Sequence, residues 1–238
     1  MANEGNFDLE QHYQYSYAPE NPHSLPEKIR KKIAPFRFRL AAREIIGALG
    51  IKPDNKVLEI GSGLGLLGKE IRNLVNPNLS YYGIDILFDS ARKSKGAISP
   101  IVADTLALPF SDKAFDFVVS TDVFEHFDDP QKAVQEVFRI LKPGGKAFIV
   151  IADPSEGRFF QVTNHHPRSG KKSDVEWWEK LFQESGFKIN KTSKKYRKRD
   201  WRKIFNLPFL AKLKDKPGFA CAFNPIYRPG VYILEKPG

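Results

Sequence analysis

The sequence predicts an α/β fold: a doubly wound, mostly parallel seven-stranded sheet with helices on both faces. Three observations carry that expectation. Short apolar segments alternate with helical-period segments from about residue 36 to residue 190. Apolar strands separated by helices fit a parallel sheet covered on both sides. The first strand also runs into a glycine-rich turn, Gly61-Ser62-Gly63-Leu64-Gly65. After Gly186 the alternation stops, and a long basic stretch precedes one last apolar segment.

Taken in order, residues 1–35 read as an N-terminal arm, rich in Tyr and Pro and without a clear period. Phe36, Leu40, Ala41, Ile45, Ala48 and Leu49 recur at helical spacing, and Gly50 with Pro53 ends that helix. Strands follow at Lys56–Ile60, Tyr81–Ile86, Ile98–Val102, Phe115–Ser120 and Lys146–Ala152. Between them the pattern places helices at Leu64–Leu74, Phe88–Ser94 and Pro130–Leu141, with another at Asp174–Ser185. Phe187–Asn190 and Val231–Leu234 complete seven strands. The core therefore spans 36–190 plus 231–238, and 191–230 reads as a basic insertion or cap before the last strand. Connections are usually about 2–6 residues, so this one calls for a separate explanation.

The formal net charge of +10 is unevenly placed. Residues 1–43 carry +2, residues 44–187 carry −3 and residues 188–238 carry +11. Cys221 is the sole cysteine, which excludes an intrachain disulfide framework and a cysteine-based zinc cluster. The N-terminal residues lack the basic and apolar regions of a signal peptide. The longest apolar stretch, Ala147 to Ala152, falls far short of the ~20 residues of a spanning helix. These features predict a cytoplasmic chain without a transmembrane segment.

The glycine turn is the first feature that carries chemistry. Glycines permit a sharp turn and close approach of a ligand, and the following helix offers free N–H groups. Gly63, Gly65 and Gly68 read literally as the glycines of a dinucleotide turn. The register argues otherwise, since the first glycine after the strand is Gly61 and the third place is then Leu66. Asp85 ends the second strand, where a carboxylate can accept from both hydroxyls of a ribose. A solvated strand-end Asp is the plain alternative.

Glu59-Ile60-Gly61-Ser62-Gly63-Leu64-Gly65 resembles the first motif of the Rossmann-like S-adenosylmethionine-dependent methyltransferases. Gly83-Ile84-Asp85 resembles that family's second-strand motif, and Ala103 through Phe110 its Asp-containing Leu-Pro-Phe segment. Phe115 through Ser120, Glu125-His126 and Leu141-Lys142-Pro143-Gly144-Gly145 follow in the family's order and at its intervals. The similarity is strongest to the small-molecule and lipid branch, which includes ubiquinone and menaquinone biosynthesis enzymes.

The resemblance implies S-adenosylmethionine as cofactor and S-adenosylhomocysteine as product. It implies that Gly61, Gly63 and Gly65 lie against the methionine part, with Ser62 also among the cofactor-binding residues and Glu59 organising the turn from below. Asp85 would hold the ribose and Ile86 would touch the adenine. Asp104 would accept from the adenine amino group with Thr105 beside it, and Ser120 would stand near the sulfonium. Thr105 departs from the Ala common in the family.

A methyl transfer from a sulfonium needs mainly positioning and desolvation, and a base only when the acceptor must lose a proton. His126, His165 and His166 are the catalytic candidates, because histidine exchanges protons near neutrality. Asp122 and Glu125 stand beside the first of them. His165 and His166 precede Trp177 through Phe187, which resembles the family's late helix and strand. No recognised metal spacing links the three histidines, so no metal is expected. Trp177 and Trp178 read as core or helix-face residues rather than a cofactor box.

The place after the fourth strand reads Ser120-Thr121-Asp122-Val123, without the Pro-Pro-aromatic turn of enzymes that methylate exocyclic amines of nucleic acids. Cys221 lies far in sequence from the motifs a pyrimidine-C5 mechanism would use. The tract Lys188–Lys216 mixes many cations with Tyr196, Trp201, Phe205 and Phe209. That mixture suits RNA, an anionic membrane surface, or a solvated cap packed on the core. The expected activity is methylation of a small-molecule or lipid-like acceptor on oxygen or carbon. RNA methylation through the basic tract and a catalytically inactive cofactor-binding partner subunit are the alternatives.

Overall fold

The computed structural model describes residues 27–151, 175–192 and 230–238. The candidates His165 and His166, Cys221 and nearly all of the basic insertion lie outside the described residues. Helix α1 spans Glu27–Leu49, followed by β1 Lys56–Ile60, α2 Leu66–Val75, β2 Ser80–Asp85, α3 Phe88–Ser94 and β3 Ser99–Val102. Then come β4 Phe115–Thr121, α4 Pro130–Ile140, β5 Leu141–Ile151, α5 Val175–Glu184, β6 Lys188–Thr192 and β7 Gly230–Glu235. Short 3-10 turns sit at Thr105–Ala107 and Phe124–His126.

The seven strands form one sheet in the order β3-β2-β1-β4-β5-β7-β6. The first five strands pair in parallel, and β7 runs antiparallel to both β5 and β6. The order reverses at β1, so β1 and β4 flank the crevice where open α/β sheets place ligands. This is the doubly wound, mostly parallel sheet that the alternation predicts.

Period-two alternation divides the core between two faces. Val57, Tyr81, Val119, Phe148, Val150, Val231 and Ile233 face one side with Ala42 and Ile45 of α1 and Ile71 of α2. Leu58, Ile60, Val118, Ile149, Tyr232 and Leu234 face the other with Val134 and Val137 of α4 and Trp178 and Phe182 of α5. Trp178 is fully buried, with its ring stacked on Phe182, as the core reading of that residue expects.

Most boundaries differ from the sequence reading by one or two residues, and two differ by more. Helix α1 begins at Glu27 rather than Phe36, taking in residues that composition assigned to the arm. Glu, Lys, Arg and Ile favour helix without supplying the apolar stripe by which the start was judged. Strand β5 begins at Leu141 rather than Lys146. Leu141 pairs with Phe115 across a register shift, and Gly144 N–H and Gly145 O exchange bonds with Lys236 at 2.8 and 2.9 Å. The Lys-Pro-Gly-Gly turn is thus held in the sheet by the last strand's end. Among the described residues no helix is long and apolar enough to cross a membrane.

Candidate cofactor site

The sheet register gathers the motif residues at one edge. Ile60 pairs with Ile84 and with Ser120, and Asp85 pairs with Val102. The carboxyl ends of β1, β2, β3 and β4 therefore meet, and the glycine turn, Asp85, Ile86, Asp104 and the turn after β4 all leave from that edge.

The turn is wound into the left-handed region at Gly61 (φ 71°), Gly63 (φ 49°) and Gly65 (φ 68°), where side-chain-bearing residues are strained. Each glycine serves a different neighbour. A Cβ on Gly61 would lie 2.2 Å from Val123 Cγ2, so the absence of one lets the β4 rim close against the turn. A Cβ on Gly68 would lie 2.4 Å from the Tyr81 ring, so α2 packs closely on β2. A Cβ on Gly63 would meet nothing within 4 Å, so open space lies against the backbone there.

Asp85 is buried (4% exposed), and both its oxygens are partly engaged. Oδ2 accepts from Gly63 N–H and Oδ1 from Leu87 N–H, each at 2.9 Å. Burial raises the Asp85 carboxyl above its ordinary value, and the Leu87 and Gly63 N–H bonds pull it back. A carboxylate offers about four lone-pair sites, so two backbone bonds leave room for two more donors. That is the acceptor capacity a vicinal diol requires.

Beneath the turn lies Glu59, also 4% exposed. The Tyr81 hydroxyl donates to Glu59 Oε2 at 3.0 Å, and Gly68 N–H also bonds the carboxyl. Burial pushes Glu59 up to about 8, so the carboxyl is mostly protonated at neutral pH. Burial and the neighbouring Glu59 raise the Tyr81 phenol well above its usual value. Glu59 thereby joins β1, β2 and the first turn of α2.

Two serines of the motifs have buried hydroxyls. The Ser120 hydroxyl is fully buried and donates to Ile60 O at 3.2 Å, bracing β4 to β1. The Ser62 side chain turns down onto Gly83, where a Cβ would lie 2.6 Å from its Oγ. Ser62 Oγ is buried and has no hydrogen-bond partner among the described residues. Ile86 is 52% exposed beside Asp85. Asp104 caps the 3-10 turn at Thr105–Ala107, Oδ1 accepting from Leu106 N–H at 2.9 Å, and Thr105 is buried. His126 ends the 3-10 turn after β4, half-buried, with its N–H bonded to Val123 O at 3.0 Å. Just before it, Asp122 adopts a left-handed backbone (φ 57°) that Asp tolerates better than most residues. Among the described residues no group of three or more His, Cys, Asp or Glu could hold a metal ion.

The motif reading misses one feature, on α4. Asp129 caps that helix by accepting from Lys132 N–H at 2.9 Å, and Pro130 occupies its first turn. Near its other end Arg139 makes a two-pronged bond to Glu136 at 2.8 and 2.9 Å. The same guanidinium donates to Phe110 O at 2.7 Å, Leu108 O at 3.1 Å and Asp112 Oδ1 at 2.9 Å. Glu136 Oε2 in turn accepts from Leu108 N–H at 2.7 Å. Arg139 holds the Glu136 carboxyl below the usual carboxylate range. The i,i+3 spacing of Glu136 and Arg139 was a legible signal, but it reads equally as a surface pair.

A family model described as a methyltransferase domain matches residues 58–149. That span contains the glycine turn, Asp85, Asp104 and the rim after β4. Residues 58–149 are therefore similar to a methyltransferase domain. Among curated relatives, the ubiquinone/menaquinone biosynthesis C-methyltransferase of Wigglesworthia glossinidia brevipalpis is 33% identical over 107 residues, covering 41% of this chain and 43% of the relative. The sterol 24-C-methyltransferase of Schizosaccharomyces pombe is 32% identical over 126 residues, covering 50% and 32%. The chain spans about half or less of the length of the curated relatives it matches. Among solved structures, a Haloferax volcanii methyltransferase in complex with the Trm112 activator covers 89% of this chain and 95% of its own at TM-score 0.64 and 18% identity. A Haemonchus contortus phosphoethanolamine N-methyltransferase bound to S-adenosylhomocysteine gives TM-score 0.58 at 20% identity, covering 84% of this chain and 53% of its own. The fold is thus the Rossmann-like one of these structures.

Proposed function

We propose that the chain is an S-adenosylmethionine-dependent methyltransferase acting on a small-molecule or lipid-like acceptor, at oxygen or carbon. The observation that carries the reading is the buried Asp85 carboxylate. It holds the left-handed glycine turn through Gly63 N–H and keeps acceptor capacity for a diol, and the backbone it holds at Gly63 has open space against it.

The residues fit that cofactor in kind. Gly61, Gly63 and Gly65 would let the methionine portion approach the backbone, while Asp85 would accept from the ribose hydroxyls. Ile86 offers an exposed apolar side chain for the adenine face, and Asp104, beside Thr105, an acceptor for its amino group. Glu59, Ser62 and Ser120 would act from below by fixing the turn and the β1–β4 crevice. S-adenosylmethionine supplies an activated methyl group with a neutral thioether as leaving group. The protein then has to orient the acceptor in line and exclude water. Where the acceptor carries a proton, His126 on the β4 rim is the described candidate to take it, with His165 and His166 as the sequence candidates beyond it.

The acceptor class is supported by the two relatives described above, named for ubiquinone/menaquinone biosynthesis and for sterol methylation. The test is two-part. Calorimetry should show binding of S-adenosylmethionine and S-adenosylhomocysteine, and binding of NAD in their place would overturn the cofactor assignment. Label from methyl-labelled S-adenosylmethionine should then enter a lipid or small-metabolite fraction of a cell extract. Label in RNA would overturn the acceptor class, and transfer to no fraction would favour a non-catalytic subunit.

A further inference from the structure

Between the end of β3 at Val102 and the start of β4 at Phe115 the chain has no strand ladder to hold it, yet Asp104 and Thr105 lie there. Its backbone polar groups must find partners elsewhere. The Glu136–Arg139 pair supplies them. Leu108 presents its N–H to Glu136 and its C=O to Arg139, much as it would to a neighbouring strand, and Phe110 O takes a further guanidinium N–H. All five N–H donors of the guanidinium are engaged, two of them on the loop backbone. Lys113 N–H closes the far end by bonding Arg139 O at 3.0 Å.

Helix α4 does not depend on this pair for its own place. Its start is capped by Asp129, and Val134, Val137 and Ile140 are fully buried in the core. It is a fixed element, leading out of the turn that carries His126 at one end and gripping the Asp104 loop near the other.

We propose that Arg139, oriented by Glu136, is a positioning residue that sets the loop carrying Asp104 and Thr105 against the adenine of the cofactor. The inference rests on the reading of Asp104 as the adenine-amino acceptor. Arg139 touches no ligand itself; its effect passes through the Leu108 and Phe110 backbone. Lysine cannot replace it, because one ammonium cannot reach Glu136 in two-pronged fashion while bonding two carbonyls.

The test uses the full chain with Arg139→Met, Arg139→Lys and Asp104→Ala. The probes are S-adenosylhomocysteine and S-inosylhomocysteine, which lacks the adenine amino group. The intact chain should prefer the adenine compound by about tenfold, the scale of one well-made hydrogen bond. Arg139→Met should bring that preference close to unity, and Arg139→Lys should restore only part of it. Native-state exchange at the Leu106 and Leu108 amides should quicken by about tenfold or more while the Val118 and Val119 amides stay protected. A general loss of stability would quicken both sets and leave the preference of the folded molecules unchanged. A preference abolished by Asp104→Ala but intact in Arg139→Met overturns the positioning role alone. A preference that Asp104→Ala also leaves intact overturns the adenine reading and the proposal with it.

Discussion

Replacing Glu59 by Gln removes one buried titration from the turn and leaves its shape. The neutral amide is isosteric with the protonated carboxyl, and its carbonyl can still accept from the Tyr81 hydroxyl. In the folded chain Glu59 titrates at about 8, against an ordinary value of 4.5, with burial as the main cause. Between those values the native state holds a proton that the unfolded state has released. Stability contributed by this group is therefore complete below about pH 4.5 and declines as pH rises through about 8. Each pH unit in the interval removes about 1.4 kcal/mol, up to about 5 kcal/mol over the whole span. Urea unfolding of both chains between about pH 5 and about pH 8 isolates the effect, since every other titrating group is common to both. The difference in unfolding free energy, native chain minus Glu59→Gln, should fall steadily with pH and level off above about 8. Parallel curves across the interval would refute the reasoning, because they would mean that Glu59 is ionised in the fold.

Further outcomes follow from the same geometry. Gly83→Ala places a Cβ 2.3 Å from Ile98 Cδ1 and 2.6 Å from Ser62 Oγ, and should cost about 1–3 kcal/mol in urea unfolding while loosening the glycine turn. Gly47→Ala, in α1 with nothing within 4 Å of the new methyl, should instead stabilise by about 0.5–1 kcal/mol. Asp85→Ala leaves the Gly63 and Leu87 N–H groups without their acceptor and should weaken S-adenosylhomocysteine binding by about tenfold or more in calorimetry. An unchanged affinity would remove Asp85 from the ribose site.

Much of the site was legible because its parts are local. Gly61, Gly63 and Gly65 announce a left-handed turn by composition, and Asp85 announces itself by its place at a strand end. The hydroxyl directions of the serines were not legible, for the opposite reason. Ser62 and Ser120 lie within the right motifs, but the direction of a side chain depends on what stands beside it. Gly83 opens the space into which Ser62 turns, and Ile60 O takes the Ser120 hydroxyl. Neither neighbour can be read from the serine's own segment.

Charge offers a second contrast. The sequence alone locates the +11 excess in residues 188–238, and leaves 44–187 slightly acidic. The sheet adds that the strands around the site come from that acidic span, because the 3-2-1-4-5-7-6 order puts β6 and β7 at the far side from β1 and β2.

By itself the sequence determined the fold class, the glycine turn, the strand-end carboxylate and the methyltransferase resemblance, since each is written in spacing along a short stretch of chain. Only the tertiary structure decided that Glu59 is buried against Tyr81, that Val123 closes on Gly61, and that Arg139 grips the backbone of Leu108 and Phe110. Those contacts join residues about twenty to sixty positions apart, and a partner at that distance is fixed by packing and hydrogen-bond satisfaction across the sheet rather than by local pattern.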